Sequence, residues 1–428
     1  MSQSSTEQVA SDRPNWELYS RCIHCGLCLN ACPTYRVLGM EMDSPRGRIY
    51  QVLQVDAGKL AVAESFVTHI DRCLDCRACE SACPSGVEYG RIVERARALI
   101  ENQYQRPWLE RKLRGYFFGG VLTDYRKLAR WARRLRMVQR AGLQKLVRAA
   151  GILKLLGLAE VEALAPPIED KFFFEEFGQM FPAIGKRRAR VSFLGGCVAS
   201  VAFAELNRAT VRVLQQNGIE VFVPKDQVCC GALHAHAGLR QQARELARQN
   251  IRAMLADDCD AIISNAAGCG STMKEYADLL EHDAEFAGRT REFAAKVKDV
   301  TEFLVELGLR APQKRIGARV TYQDPCHLAH GQRVRSAPRE ILQALGVNLV
   351  EMPHSDHCCG SAGSYNITQT SLSMKILDDK MEDVASVSPE IIATANVGCM
   401  LQLRAGCARS GLRAEVKHVI ELLDEAYI

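Results

Sequence analysis

The sequence predicts a chain of mixed α+β and α/β class. A helical N-terminal module is followed by two repeated α/β units built on short parallel sheets. Three observations predict it. Two dense cysteine runs, CIHCGLCLNACP at 22–33 and CLDCRACESACP at 73–84, occupy the first hundred residues. A block carrying four cysteines occurs twice, over residues 190–280 and again over 319–410. Within both copies, short apolar and β-branched runs alternate with helical patterns, as buried parallel strands and their crossovers do.

The two N-terminal runs share the spacing C-x2-C-x2-C-x3-C followed by proline. Three thiols within seven residues let one short loop wrap a face of a cubane cluster. The fourth, at the start of the next helix, points away and reaches a second cluster. One [4Fe–4S] cluster then takes Cys22, Cys25, Cys28 and Cys83, and the other takes Cys73, Cys76, Cys79 and Cys32. This makes residues 1–103 a bacterial-ferredoxin-type module. Zinc sites commonly use two separated C-x2-C pairs, which is not the pattern here. Eight thiolates on two clusters leave no open coordination position, so a one-electron conduit is expected rather than substrate chemistry. His24 reads as a surface residue or a hydrogen-bonding neighbour of the ligands rather than a ligand itself. SPRGR (44–48), between the runs, reads either as a solvated turn or as positive charge acting on a cluster.

Residues 104–186 read as a basic helical linker. From Tyr104 to Leu156 there are fourteen Lys and Arg against Glu110 and Asp124, a net of +12 in a chain whose total is +5. Leu128, Trp131, Leu135 and Val138 recur at helical spacing among arginines. Such a helix can cover its own domain, lie on an anionic membrane surface, or pack on an acidic partner. No nucleic-acid-binding motif accompanies the charge, so no nucleic-acid partner is expected. APPIEDKFFFEEFGQMFPAIGK (165–186) reads as a proline-punctuated connector.

The repeat defines the first cysteine-rich unit, 187–312, and the second, 313–428. RVSFLGGC matches RVTYQDPC, VCCG matches HCCG, and AIISNAAGC matches IIATANVGC. Cys197, Cys229, Cys230 and Cys269 therefore correspond to Cys326, Cys358, Cys359 and Cys399, with offsets of 129, 129, 129 and 130 residues. Four cysteines in one register mark a duplicated unit. Each copy reads as strand, helix, strand, cysteine loop, helix, strand, helix. The cysteines then fall at C-terminal strand ends, the edge where open α/β sheets gather ligands. A loop ending in Gly231 or Gly360 could aim two adjacent sulfurs at one metal centre. Cys259 and Cys407 have no counterparts and read as core residues. His327, His330, His354 and His357 crowd the second copy; any could ligate a metal, and hydrogen bonding beside the site is the first reading.

Composition is that of a globular chain, 47% hydrophobic and 25% charged. The polar start, MSQSSTEQVASDRPNW, is no signal peptide, and no apolar stretch reaches transmembrane length. Cytoplasmic location is the expectation, with room for peripheral contact with the inner face of the membrane. In that compartment, eighteen cysteines point to metal or redox groups rather than disulfides.

Taken in order, CIHCGLCLNACPTYRVLG, DSPRGRIY, DRCLDCRACESACPSGV, CCGA, GCGSTMKEY, CCGSAGSY, TANVGC and KHVIELL resemble the iron–sulfur subunits of bacterial glycolate oxidase (glycolate dehydrogenase). The repeat resembles the cysteine-rich CCG domain of heterodisulfide reductases. The resemblance implies an oxidoreductase subunit without flavin, inactive alone. It implies a partner flavoprotein that holds FAD and oxidises glycolate, and delivery of electrons toward a quinone-linked membrane acceptor. Related lactate and glycerol-3-phosphate dehydrogenases use similar subunits, and a heterodisulfide-reductase-like subunit with its own catalytic cluster is the other alternative. Ala266 and Asn396 stand where heterodisulfide reductases carry a fifth cysteine. Each copy thus offers four thiols, which suit at least one further iron–sulfur cluster, or zinc in one copy.

Overall fold

In a computed structural model of the protein, the described residues are 12–427 apart from 143, 145, 146, 148, 149, 152 and 154–158. The N-terminal module is helical. Its longest helices, Pro45–Asp56 and Tyr89–Gln103, pack with Glu64–Asp71 through Ile49, Val52, Phe66, Ile70, Ile92, Val93 and Ile100 into a core of their own. Both cysteine runs lie on its edge in loops of the same backbone path. His24 and Gly26 in the first run have φ of 54° and 85°, and Asp75 and Arg77, their positional equivalents, have 53° and 60°. Only glycine adopts this left-handed region without strain, so the second loop holds two non-glycine residues there against their preference.

SPRGR is not a solvated turn. Ser44 caps a helix, its hydroxyl accepting from Gly47 N–H at 3.0 Å with Pro45 at the first helical position. The turn residues are helix-starting residues, and Arg48, one turn in, is 1% exposed.

In the linker, helices Trp108–Tyr116 and Tyr125–Arg140 are separated by a π-turn at Phe117–Val121. The apolar stripe does not serve mainly as core. Ala129 and Ala132 face inward and Leu128 is partly buried, whereas Trp131, Leu135 and Val138 remain exposed.

The two units carry the same sheet. In the first, β1 (Met180–Phe181), β2 (Ala189–Phe193), β3 (Ile219–Phe222), β4 (Ala261–Ser264) and β5 (Val297–Asp299) lie in the order β1-β3-β2-β4-β5. In the second, β6 (Arg319–Tyr322), β7 (Asn348–Leu349), β8 (Ile391–Thr394) and β9 (Glu415–His418) lie in the order β7-β6-β8-β9. Every pairing is parallel except β1 with β3, so among the described strands β1, from the end of the connector, is the one without a counterpart. Val191, Phe193, Ile262 and Ile263 in the first sheet, and Val320, Tyr322, Ile392 and Ala393 in the second, are inaccessible to solvent, as parallel strands covered on both faces require.

One apolar core runs through both units. The last helix, Val419–Tyr427, lies on Ala204–Gln216 of the first unit, where Asp424 pairs with Arg212 at 2.6 Å and Tyr427 Oη hydrogen-bonds Asn217. Buried His418 reaches Asn265 O at 3.1 Å. The duplicated halves are therefore fused rather than strung.

Candidate metal centres

All eighteen cysteines are free thiols, and sixteen of them fall into four groups. Cys22, Cys25, Cys28 and Cys83 form the outermost. Cys25 is solvent-exposed and the other three are half-buried. The Cys22 sulfur lies near Cys83, across the gap between the two runs. The loop is tied down by Arg46, which donates to His24 O at 3.1 Å while pairing with Glu41 at 2.7 Å. Exposed His24 stays at the surface.

Cys32, Cys73, Cys76 and Cys79 form the second group and are all buried. Burial pushes the Cys79 thiol well up, and the neighbouring Cys76 and Cys32 sulfurs push it further. Tyr89 Oη lies 3.7 Å from Cys73 Sγ, and Asp75 N–H donates to the same sulfur at 3.3 Å. Arg48 stands behind the group. It donates to His69 O at 2.7 Å, to Thr34 Oγ1 at 3.1 Å and to Asp43 at 3.3 Å. Burial works against its charge, but Tyr89, Cys73, Cys32 and Asp43 hold it protonated above its ordinary value. A buried cation beside four sulfurs is where a protein adjusts the electron affinity of what they hold.

Cys197, Cys229, Cys230 and Cys269 converge in the first unit. Cys229 and Cys197 sulfurs are 3.6 Å apart, and Cys230 and Cys269 sulfurs 3.1 Å. Asn250, fully buried, clamps the vicinal pair: its Oδ1 accepts from Val228 N–H at 2.9 Å and its Nδ2 donates to Cys229 O at 3.0 Å. Tyr276 Oη donates to Cys230 O at 2.7 Å. Gly231 turns the chain away at φ 80°. Phe118, Leu122 and Tyr125 of the linker close this group from above. Burial, then the four sulfurs, push the Tyr125 phenol well up.

In the second unit Cys326 meets Cys358, Cys358 meets Cys359, and Cys359 meets Cys399. Hydrogen bonds from Cys358 and Cys399 hold the Cys359 thiol well below its ordinary value, with the Lys380 ammonium adding to the effect. Gly360 has φ 89°, and its carbonyl accepts from Ser373 Oγ at 2.8 Å. Asn396 donates from Nδ2 to Cys399 Sγ at 3.3 Å, so this side chain sits against the sulfur group without adding a thiol. His327 Nδ1 is 3.7 Å from Cys326 Sγ, while His330 bonds Ser81 Oγ at 2.8 Å and Asp356 O at 3.1 Å. His354 and His357 stack on one another at 4.5 Å. Cys259 and Cys407 are buried in apolar clusters outside the four groups.

The groups are not isolated. Cys76 of the N-terminal module and Cys358 of the second unit are neighbours and share an apolar cluster with Leu74, Tyr365 and Ile376. Against the first unit, the same module meets charges instead. Arg77 pairs with Glu275, His236 with Asp75 at 3.1 Å and Glu94 at 2.9 Å, and Arg95 with Asp278 at 3.0 Å. Burial opposes the charge on His236, yet Asp75 and Glu94 push it up to about 9. A cavity of about 190 Å³ opens there, lined by Arg77, Glu94, Thr272, Glu275 and His330 among others. Arg48 belongs to SPRGR, whose charge the sequence offers as acting on a cluster; neither Asn250 nor this charged contact carries a sequence signal, since each depends on elements distant in the chain.

Burial and neighbouring sulfurs make thiols such as Cys79, Cys197 and Cys230 hold their protons more tightly than free cysteine, and a soft cation that takes those protons' place satisfies several sulfurs at once. Four sulfurs per group, with tyrosine and amide donors around them, fit iron–sulfur chemistry. The fold and these groups define an iron–sulfur electron-transfer protein made of a dicluster module and two cysteine-rich domains. Family models agree: a 4Fe-4S dicluster domain matches residues 18–87 and a cysteine-rich domain matches 191–274 and 320–404. The linker region of the glycolate oxidase iron-sulfur subunit matches residues 109–165. A Bacillus subtilis (strain 168) protein named "Probable glycolate oxidase iron-sulfur subunit" is 40% identical over 95% of this chain and 93% of its own. The "Glycolate oxidase iron-sulfur subunit" of Escherichia coli (strain K12) is 35% identical with the same coverage. "Lactate utilization protein A" of Oceanobacillus iheyensis is 29% identical over 55% of this chain and 96% of its own. The chain belongs to the family of glycolate oxidase iron–sulfur subunits.

Proposed function

We propose that this chain is the electron-relay subunit of a glycolate-oxidising complex. It receives electrons from a partner flavoprotein that converts glycolate to glyoxylate, and passes them toward a quinone-linked acceptor at the membrane. Cys22, Cys25, Cys28 and Cys83 would hold one [4Fe–4S] cluster and Cys73, Cys76, Cys79 and Cys32 a second. Cys326, Cys358, Cys359 and Cys399 would hold a further metal centre, as would Cys197, Cys229, Cys230 and Cys269. Clusters at these positions supply one-electron carriers; two-electron oxidation of a 2-hydroxy acid needs an organic cofactor, which a partner must hold.

The observation that carries the reading is the series of neighbouring thiols. It runs from surface-exposed Cys25, through the Cys22–Cys83 neighbours, by way of Cys28 near Cys32 to the buried second group, and on to Cys358. A protein that only needed metal for stability has no use for an exposed sulfur at one end of a continuous series. The residues keep the inner groups dry and their charge balanced. Arg48 and Lys380 place buried cations beside the second group and the second unit's group. The test is reconstitution. The chain purified without oxygen should be coloured and should leave glycolate unoxidised, and adding a co-expressed flavoprotein should restore turnover with reduction of the chain's visible absorption. Glycolate oxidation by the chain alone would overturn the proposal.

A further inference from the structure

The linker has a helix turned inside out. No residue of Trp108–Tyr116 is buried. Its apolar side chains Trp108, Leu109, Leu113 and Tyr116 face solvent, with Trp108 61% exposed. Two of its charges are engaged inward, Arg114 donating to Glu101 at 2.8 Å and to Ala237 O at 3.2 Å and Glu110 pairing with Arg106 at 3.1 Å, while Arg111 and Lys112 stay exposed. The second linker helix extends the same face, because Trp131 Nε1 donates to Tyr116 Oη at 2.7 Å with the two rings edge to face. Half of the large apolar side chains exposed among the described residues fall between Trp108 and Val138. Contiguous apolar surface of this kind marks an interaction site.

We propose that the outer face of these two helices docks on an anionic lipid bilayer, with Trp108, Tyr116 and Trp131 at headgroup level and the linker's arginines and lysines against the lipid phosphates. Charge complementarity selects this occupant. The two acids of the segment are spent locally, Glu110 on Arg106 and Asp124 on the N–H groups of Arg126 and Lys127, so what faces outward is apolar or positive. Lys112 lies over the Trp108 ring at 4.4 Å and Arg134 over Trp131 at 5.2 Å, setting cations at the aromatic rim. Tryptophan, tyrosine and leucine edged by basic residues is the composition of a helix lying in a membrane interface. Among the described residues no helix is long and apolar enough to cross a membrane, so the contact is peripheral. The inner side of the same plate, Phe118, Leu122 and Tyr125, covers the first unit's cysteine group. That group then lies directly behind the lipid-facing surface, where a lipid-soluble acceptor is met; this last step rests on the membrane acceptor of the proposed function.

The experiment is flotation of the anaerobically purified full chain with vesicles of phosphatidylcholine alone or mixed with phosphatidylglycerol. The chain is expected to float with the anionic vesicles and to be released by high salt. Arg130→Gln with Arg134→Gln should weaken binding by about thirtyfold, at roughly a kilocalorie per basic residue near the surface. Leu109→Gln with Leu113→Gln should abolish it. Iron content and the reduced spectrum, unchanged in both variants, report that the fold persists. Wild-type chain that stays out of the anionic fraction overturns the proposal. So does binding unaffected by either pair, or loss of flavoprotein capture by the same variants without any vesicle binding. A chain that floats but holds no iron would overturn the relay and leave the docking face standing.

Discussion

The thiols of Cys76 and Cys358 lie against one another in a single apolar cluster, across the boundary between the N-terminal module and the second repeat. Metal centres held by such neighbouring thiols would influence one another magnetically. Cys358→Ala should lower the iron content and change the line shape of the reduced EPR signal belonging to Cys73, Cys76, Cys79 and Cys32. Cys229→Ala, in the other unit, should lower metal content and leave that signal as it was. Equal effects of the two substitutions on the signal would contradict the arrangement.

Arg48 offers a second test, because it is a cation with no solvent to replace it. Arg48→Gln removes one of the partners of buried Asp43 and should cost about 3 kcal/mol in stability. It should also lower the reduction potential of the second cysteine group, since an added electron loses a nearby positive charge. Arg48→Lys keeps the charge but not the fork to Thr34 and His69, so it should recover the potential more fully than the stability. Potentiometric EPR and thermal unfolding read the two quantities separately.

Gly231 and Gly360 end the two vicinal-cysteine loops with the same left-handed turn, but their surroundings differ. A Cβ on Gly231 meets Ala243 at an ordinary 3.5 Å, whereas one on Gly360 comes 2.5 Å from Ser373 O. Gly231→Ala should therefore cost about 1 kcal/mol, the left-handed backbone alone. Gly360→Ala should cost about 3 kcal/mol or more, because backbone must move. Chemical denaturation of the two variants in parallel decides it.

Asp299 predicts a pH dependence away from the metal groups. It caps the Val300–Leu307 helix by accepting from Thr301 N–H at 2.9 Å, while its Oδ2 is buried without a partner. Burial pushes this carboxyl up to about 6. A carboxyl raised on folding binds its proton more tightly in the native state, so its contribution is fully present below about pH 4 and is lost as pH rises through 6. Asp299→Asn keeps the accepting oxygen and removes the titration. It should gain on the wild type by about 2 kcal/mol between pH 4 and pH 8. A stability difference that stays flat over that range would contradict the assignment.

What the sequence revealed was whatever is written in local spacing. The cysteine runs, the offset of about 130 residues and the short apolar strands each stand in one stretch of chain, and the fold class and the grouping within each run follow from them. Docking between modules is written nowhere in spacing. Cys76 meets Cys358, and Arg77 meets Glu275, only because helix Thr370–Ser386 and the end of Ala267–Lys274 are brought against the cysteine loops. SPRGR is legible in part: its reading as charge beside a cysteine group fits buried Arg48, whereas its reading as a turn does not, because proline at the first helical position after a serine cap is equally a helix start. The stripe Leu128, Trp131, Leu135 and Val138 has correct helical periodicity, and periodicity alone cannot say whether a protein or something else covers it.

The central claim is tested most directly by counting iron and acid-labile sulfide in the anaerobically purified chain. The two N-terminal groups require about eight of each, and the repeats add metal beyond that. A brown protein meeting this count, with reduced EPR signals from two interacting clusters, is the predicted result. A colourless protein holding zinc and no sulfide would contradict it.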